Sequence, residues 1–159
     1  LEESFTYFSG LNALISWKKL NASGSLFAGQ TKPKLNEKGI ISGLEDLSSS
    51  SFNFMLFAKE LFNKKDSFGL RISQPLRLEN GGVYFSIPTG RKPNKEIIFD
   101  KYRSDLRPSG RQVDLELIYR TSAKYGSFYS RLGVTKDEGH FKRAGVESFF
   151  ETVFEIPLH

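Results

Sequence analysis

Between Asp66 and Asn80 the chain reads D-S-F-G-L-R-I-S-Q-P-L-R-L-E-N. Phe68, Leu70, Ile72, Leu76 and Leu78 fall on one parity, and Ser67, Arg71, Ser73, Arg77 and Glu79 on the other. Side chains of a strand point alternately to its two faces, so this stretch predicts a strand with one oily and one charged side. The pattern recurs over 112–121, where Val113, Leu115, Leu117 and Tyr119 oppose Asp114, Glu116 and Arg120, with Ile118 alone breaking the polar parity. Over 127–135, Phe128, Leu132 and Val134 oppose Tyr129, Arg131 and Gly133; over 145–156, Val146, Phe150, Phe154 and Ile156 oppose Glu147, Glu151 and Glu155.

Reading outward, period-two segments bounded by Gly, Pro, Asn and Ser predict further strands over 4–9, 13–20, 25–31, 51–62 and 82–88. Helical periodicity is hard to find. Hairpin turns are expected at Leu20-Asn21-Ala22-Ser23-Gly24 and at Glu79-Asn80-Gly81-Gly82, where Asn and Gly supply positive φ. Residues 63–66 and 121–126 read as further short connections, whereas 32–50 and 89–111 read as long ones rich in charge, Pro and Gly. Short turns at one rim and long loops at the other suit an up-and-down barrel.

The expected fold is therefore all-β: an antiparallel up-and-down β-barrel or part of one, with about 8 to 12 strands. The 159 residues amount to a single domain. The first residue is Leu1, and the chain reads as the C-terminal fragment of a longer protein. No run approaches the roughly 20 apolar residues of a membrane helix, but barrel strands need only every second residue apolar. The negative mean hydropathy is compatible with either a soluble sheet or a membrane barrel.

The binary pattern defines two sets of residues. A polar set of Arg71, Arg77, Asp114, Glu116, Arg120, Arg131, Glu147 and Glu151 would line a narrow lumen crossed by ion pairs. An apolar set of Phe68, Leu70, Ile72, Leu76, Val113, Leu115, Leu117, Phe150 and Phe154 would face lipid or a core. A one-sided soluble sheet with its charges in water demands the same pattern. Aromatic residues at strand ends, Trp17 and Phe62 among them, suit interfacial girdles and core packing alike.

Chemistry is sparse. Cysteine is absent, which excludes disulfides, thiolate metal sites and a cysteine nucleophile. The histidines are His140, in a loop, and His159, at the end of the chain. Asp137-Glu138-Gly139-His140 lacks metal-ligand spacing and reads as a surface turn, and the glycines form neither a P-loop nor a dinucleotide fingerprint. No catalytic residue, metal or cofactor is expected, although a hydrolase centred on His140 is a third alternative. The net charge of +5 is scattered among acids instead of massed in a stripe, so nucleic acid is not an expected partner.

Three segments carry a family resemblance: F-G-L-R-I-S-Q-P-L-R-L-E-N-G from Phe68 to Gly81, L-R-P-S-G-R-Q-V-D-L-E-L from Leu106 to Leu117, and D-E-G-H from Asp137 to His140. In order and spacing they resemble the C-terminal, autotransporter-like β-barrel region of subtilisin-family serine proteases of Gram-negative bacteria. The similarity runs from about Trp17 to Phe154. It implies an outer-membrane barrel of about twelve strands, in contact with lipid and preceded in the chain by a protease passenger that it helps to export and anchor. Such a barrel carries no protease chemistry of its own. Pro75, which lacks a ladder N–H, predicts a bulge at Gln74-Pro75. The alternative is an extracellular or periplasmic soluble β-rich module that binds or assembles by pairing strand edges such as 145–156.

Overall fold

A computed structural model describes residues 3–34 and 39–156. They form ten strands: β1 (Glu3–Trp17), β2 (Leu20–Lys34), β3 (Ile41–Leu44), β4 (Leu47–Lys59), β5 (Asp66–Asn80), β6 (Gly82–Arg91), β7 (Ile97–Asp105), β8 (Val113–Ala123), β9 (Gly126–Lys136) and β10 (Val146–Glu155). A 3-10 turn, Glu138–His140, separates the last two. The fold is all-β and antiparallel, as the alternation requires. One sheet has the order β1-β2-β4-β5-β8-β9-β10 and the other β3-β6-β7. The described strands do not close into a barrel. The chain divides into two compact units, one from the segments up to Ser9, Ala28–Ser50 and Leu78–Pro108, the other from Gly10–Phe27, Ser51–Arg77 and Ser109 onward.

Several expected turns are strand interior, for one recurring reason. β1 is continuous where two strands over 4–9 and 13–20 were expected, because Gly10 is not a breaker: a Cβ there would lie 2.4 Å from the Phe27 ring. Gly24, expected in a hairpin turn, lies inside β2, where a Cβ would lie 2.9 Å from the Phe54 ring. Both glycines seat aromatic rings, and the turn itself is Lys18-Lys19, with Lys18 at φ 52.

Asn80-Gly81 is not a hairpin either. Gly81, at φ 149, passes the chain from β5, flanked by β4 and β8, to β6, flanked by β3 and β7. The expected long loops are largely strand. β2 extends to Lys34, and β3 and the start of β4 lie within 32–50. β7 occupies 97–105, inside the second expected loop, and its mixed polarity is organised by pairing with β6. No bulge interrupts the β5–β8 register, which ends at Ser73↔Asp114, before Pro75. Register shifts occur at Pro88/Gly90 and Ile41/Gly43.

Burial is inverted relative to an ordinary water-soluble sheet. Among the described residues only Val83 and Ile118 are buried apolar side chains, whereas Asp66, Ser73, Gln74, Arg77, Glu116, Asp137 and His140 are buried polar ones. Leu70 and Ile72 pair with Leu117 and Leu115, and these pair with Leu132 and Val134. That makes one continuous apolar surface across three strands, and all six side chains are exposed, Leu115 and Leu132 each by 47%. Ile118 is buried because it shares the parity of Glu116.

In the first unit a carboxylate between β3 and β4 ties two strands together. Glu45 accepts from Arg103 Nε at 2.7 Å and Nη2 at 2.8 Å, and from the Tyr84 hydroxyl at 2.8 Å. The Arg103 hydrogen bond, followed by that of Tyr84, holds the carboxyl at about 2, well below its ordinary 4.5. A depressed folded value stabilises the fold above the unfolded value, and that contribution disappears as pH falls through the folded one. Glu45→Gln is therefore expected to lower the urea midpoint at neutral pH. The difference from wild type should shrink between pH 4.5 and about 2, as urea titrations across that window will measure.

Candidate functional site

Four charged residues of the polar parity meet across four strands. Arg71 on β5 lies opposite Glu116 on β8, with Nη1 3.7 Å from Oε1. Arg131 on β9 approaches Glu116 Oε2 at 3.7 Å and makes a tighter bridge, 3.0 Å, to Glu151 on β10. The row is extended by Arg71 Nε, which donates to Asn53 Oδ1 on β4 at 2.7 Å. The Arg131 guanidinium also lies over the Phe149 ring, 4.8 Å from its centroid. Glu116 is the pivot: its side chain is 9% exposed, and its charge sits between two cations. Register explains the alignment, since Arg71↔Glu116 and Glu151↔Arg131 are direct cross-strand pairs on one face.

Beside this ladder lies a buried polar knot where three chain segments converge. His140 Nδ1 accepts the backbone N–H of Gln112 at 3.0 Å, so the neutral ring carries its proton on Nε2, which donates to the Leu76 carbonyl at 3.1 Å. The His140 carbonyl accepts from Gly110 N–H at 2.7 Å. Arg77 Nε donates to the Gly110 carbonyl at 2.9 Å, Arg111 Nη1 to Gln74 Oε1, and Gly139 N–H to Gln112 Oε1 at 2.8 Å. Asp137, Gly139 and His140 adopt left-handed φ of 52, 64 and 64, which curls the segment tightly enough to turn the imidazole inward. Gly110 has no space for a side chain: a Cβ would lie 2.5 Å from Lys142 N. The ladder and the knot border one cleft, lined in part by Arg71, Gln74, Asp114 and Glu116.

The two sets of residues read from the sequence are thus distributed unequally. Arg71, Glu116, Arg131 and Glu151 join the ladder, and Arg77 joins the knot. Asp114 accepts from Gln112 Nε2 and from Thr135 Oγ1, each at 2.9 Å. Arg120 and Glu147 are exposed and outside both networks. Of the apolar set, Leu70, Ile72, Leu76, Leu115, Leu117, Phe150 and Phe154 are exposed, and Phe68 and Val113 are half-buried. Pattern reading missed Gln74, Gln112, Gly110 and Asn53. The available signal was the three quoted motifs themselves: S-Q-P-L-R, P-S-G-R-Q and D-E-G-H are the segments that meet in the knot. Asp137-Glu138-Gly139-His140, expected as a surface turn, instead sends Asp137 and His140 inward, because their polar atoms find partners there.

Comparisons with known protein families, with curated proteins and with solved structures find no match. The chemistry available is therefore argued from the arrangement alone. Both nitrogens of His140 are committed to backbone groups, and the charges of the ladder neutralise one another. The arrangement is suited to holding chain segments in place through buried polar side chains, with Glu116 Oε2 and Arg131 Nε left without a hydrogen-bond partner.

His140→Phe fills similar space but removes the partner of a part-buried N–H and a part-buried carbonyl, at about 1 kcal/mol each. Its urea midpoint should fall accordingly, while the conservative His140→Gln recovers part of the loss. In the ladder, Glu116→Ala removes the anion shared by two part-exposed arginines that keep Asn53 and Glu151 as partners, and should cost about 1–3 kcal/mol. Glu151→Ala, at the exposed end of the row, should cost about 0–1 kcal/mol, and the same denaturation series separates the two.

Proposed function

We propose that this chain is the translocator and anchor domain, a β-barrel or a large part of one, of a secreted subtilisin-like protease passenger, seated in a bacterial outer membrane. The observation that carries the reading is the inverted burial: charges paired with one another on one face of the sheet, apolar side chains left bare on the other. Water penalises such an apolar face, whereas hydrocarbon accommodates it. In this reading the strand stretches of the second unit span the bilayer. Leu70, Ile72, Leu115 and Leu117 meet lipid, and Arg71, Glu116, Arg131 and Glu151 cross-link the polar face. The connections at Lys18-Lys19, 60–65 and Lys124-Tyr125 are short, as barrel turns at one rim are. The passenger and the outer-membrane address rest on the resemblance carried by Phe68–Gly81, Leu106–Leu117 and Asp137–His140.

A soluble β-rich module that pairs through strand edges is the second reading. It is favoured by β10, which forms one end of its sheet's strand order. Refolding the chain with and without detergent discriminates the two. The membrane reading expects a folded, heat-modifiable species on unboiled gels only with detergent or lipid, and a monodisperse β-rich species in plain buffer would overturn it. Leu117→Arg, on the apolar face, should weaken folding into vesicles by about 2–4 kcal/mol at the bilayer midplane. A soluble module would tolerate it.

A further inference from the structure

The short connections of the second unit share a composition that the membrane reading does not use. Trp17, Phe62 and Tyr125 are 69%, 74% and 70% exposed; Trp17 and Tyr125 each adjoin a lysine, and Lys64-Lys65 follow Phe62 after one residue. Lys18 lies over the Trp17 ring at 5.7 Å, and Lys124 over the Tyr125 ring at 5.1 Å. The turns are also joined. Lys59 N–H donates to the Lys19 carbonyl at 2.8 Å, Lys19 bridges to Glu60 at 2.8 Å, Ser122 N–H donates to the Lys65 carbonyl at 3.3 Å, and the Phe62 and Tyr119 rings meet edge to face. They therefore form a continuous rim.

Charge on this rim is net positive. Lys18, Lys64, Lys65 and Lys124 have no ion-pair partner among the described residues. The nearby acids are engaged: Glu60 with Lys19, Glu155 with the Ser127 hydroxyl at 3.1 Å, and Asp66 with the backbone N–H groups of Leu61, Phe62 and Asn63. Exposed lysines interleaved with exposed amphipathic rings, at the edge of a bare apolar face, fit the interface of a bilayer. There the rings sit at headgroup depth and the ammonium groups reach phosphate.

We infer that this rim is a binding surface for anionic phospholipid headgroups, which fixes the turn end of the domain at an anionic leaflet. The inference rests on the membrane reading above and deepens it. Trp17 is the only tryptophan and reports on the rim directly. The full chain is refolded into phosphatidylcholine vesicles holding a minor fraction of phosphatidylglycerol, with acyl-chain bromine carried either by the phosphatidylglycerol or by an equal amount of the phosphatidylcholine. Enrichment of the anionic lipid predicts Trp17 quenching at least about twofold deeper with brominated phosphatidylglycerol. That excess should vanish at high salt and in the Lys18→Gln, Lys64→Gln, Lys65→Gln, Lys124→Gln variant, whose far-UV spectrum checks its fold. Equal quenching by the two lipids overturns the rim inference and leaves the membrane reading standing. No quenching by either overturns both.

Discussion

The structure depends on one constraint: the charges on the polar face of the sheet are paired across strands, even though Glu116 Oε2 and Arg131 Nε are buried without a hydrogen-bond partner. Glu116 sits between Arg71 and Arg131, and Arg131 reaches on to Glu151, so a row of charges is neutralised within the chain. The price of burying a carboxylate is met by two cations whose positions are fixed by cross-strand register. With the charges of that face paired among themselves, the opposite face is left as the surface the protein offers to its surroundings. A sheet of this kind does not need a core of its own. It needs an environment, and in the proposed reading that environment is hydrocarbon against the exposed Leu70, Ile72, Leu115 and Leu117.

The polar knot extends the same logic to irregular backbone. Segments that leave the β-ladder, such as 106–112 and 137–145, bring unpaired N–H and C=O groups that must be satisfied. His140 bridges two of these groups, Gln112 N–H and the Leu76 carbonyl, while Arg77 and Gly110 lock the neighbouring turn. The β5–β8 ladder ends at Ser73↔Asp114, and side chains take over its role from there: Gln74 and Arg77 are hydrogen-bonded where strand pairing with β8 has stopped. Pro75 lies in this same interval.

Fold class and face assignment were legible because period-two alternation is a local property that pairing then preserves. The apolar parity of β5 and β8 is the one that remains exposed, and Ile118, the odd residue in its strand, is buried with the polar side. Turns were less legible. Gly10 and Gly24 resemble breakers in one dimension but serve as seats for Phe27 and Phe54 on neighbouring strands, a role visible only once strands are paired. β7 was hidden for a similar reason, since Ile97, Ile98, Phe99 and Tyr102 follow no period-two alternation and its structure comes from pairing with β6. The knot could not be derived from spacing, because its members lie up to 64 residues apart. Charge partners were legible in type and not in identity: Arg120 and Glu147 have the same parity as the ladder but lie outside it.

The most direct test of the central claim uses the absence of native cysteine. A single cysteine placed at Leu117 or at Glu151 and labelled with an environment-sensitive fluorophore reports the medium at each face. In refolded vesicles the account predicts blue-shifted emission at position 117, quenched by lipid-borne spin label and protected from aqueous iodide, and the reverse preference at position 151. Iodide quenching at position 117, with no response to the lipid-borne label, would contradict it.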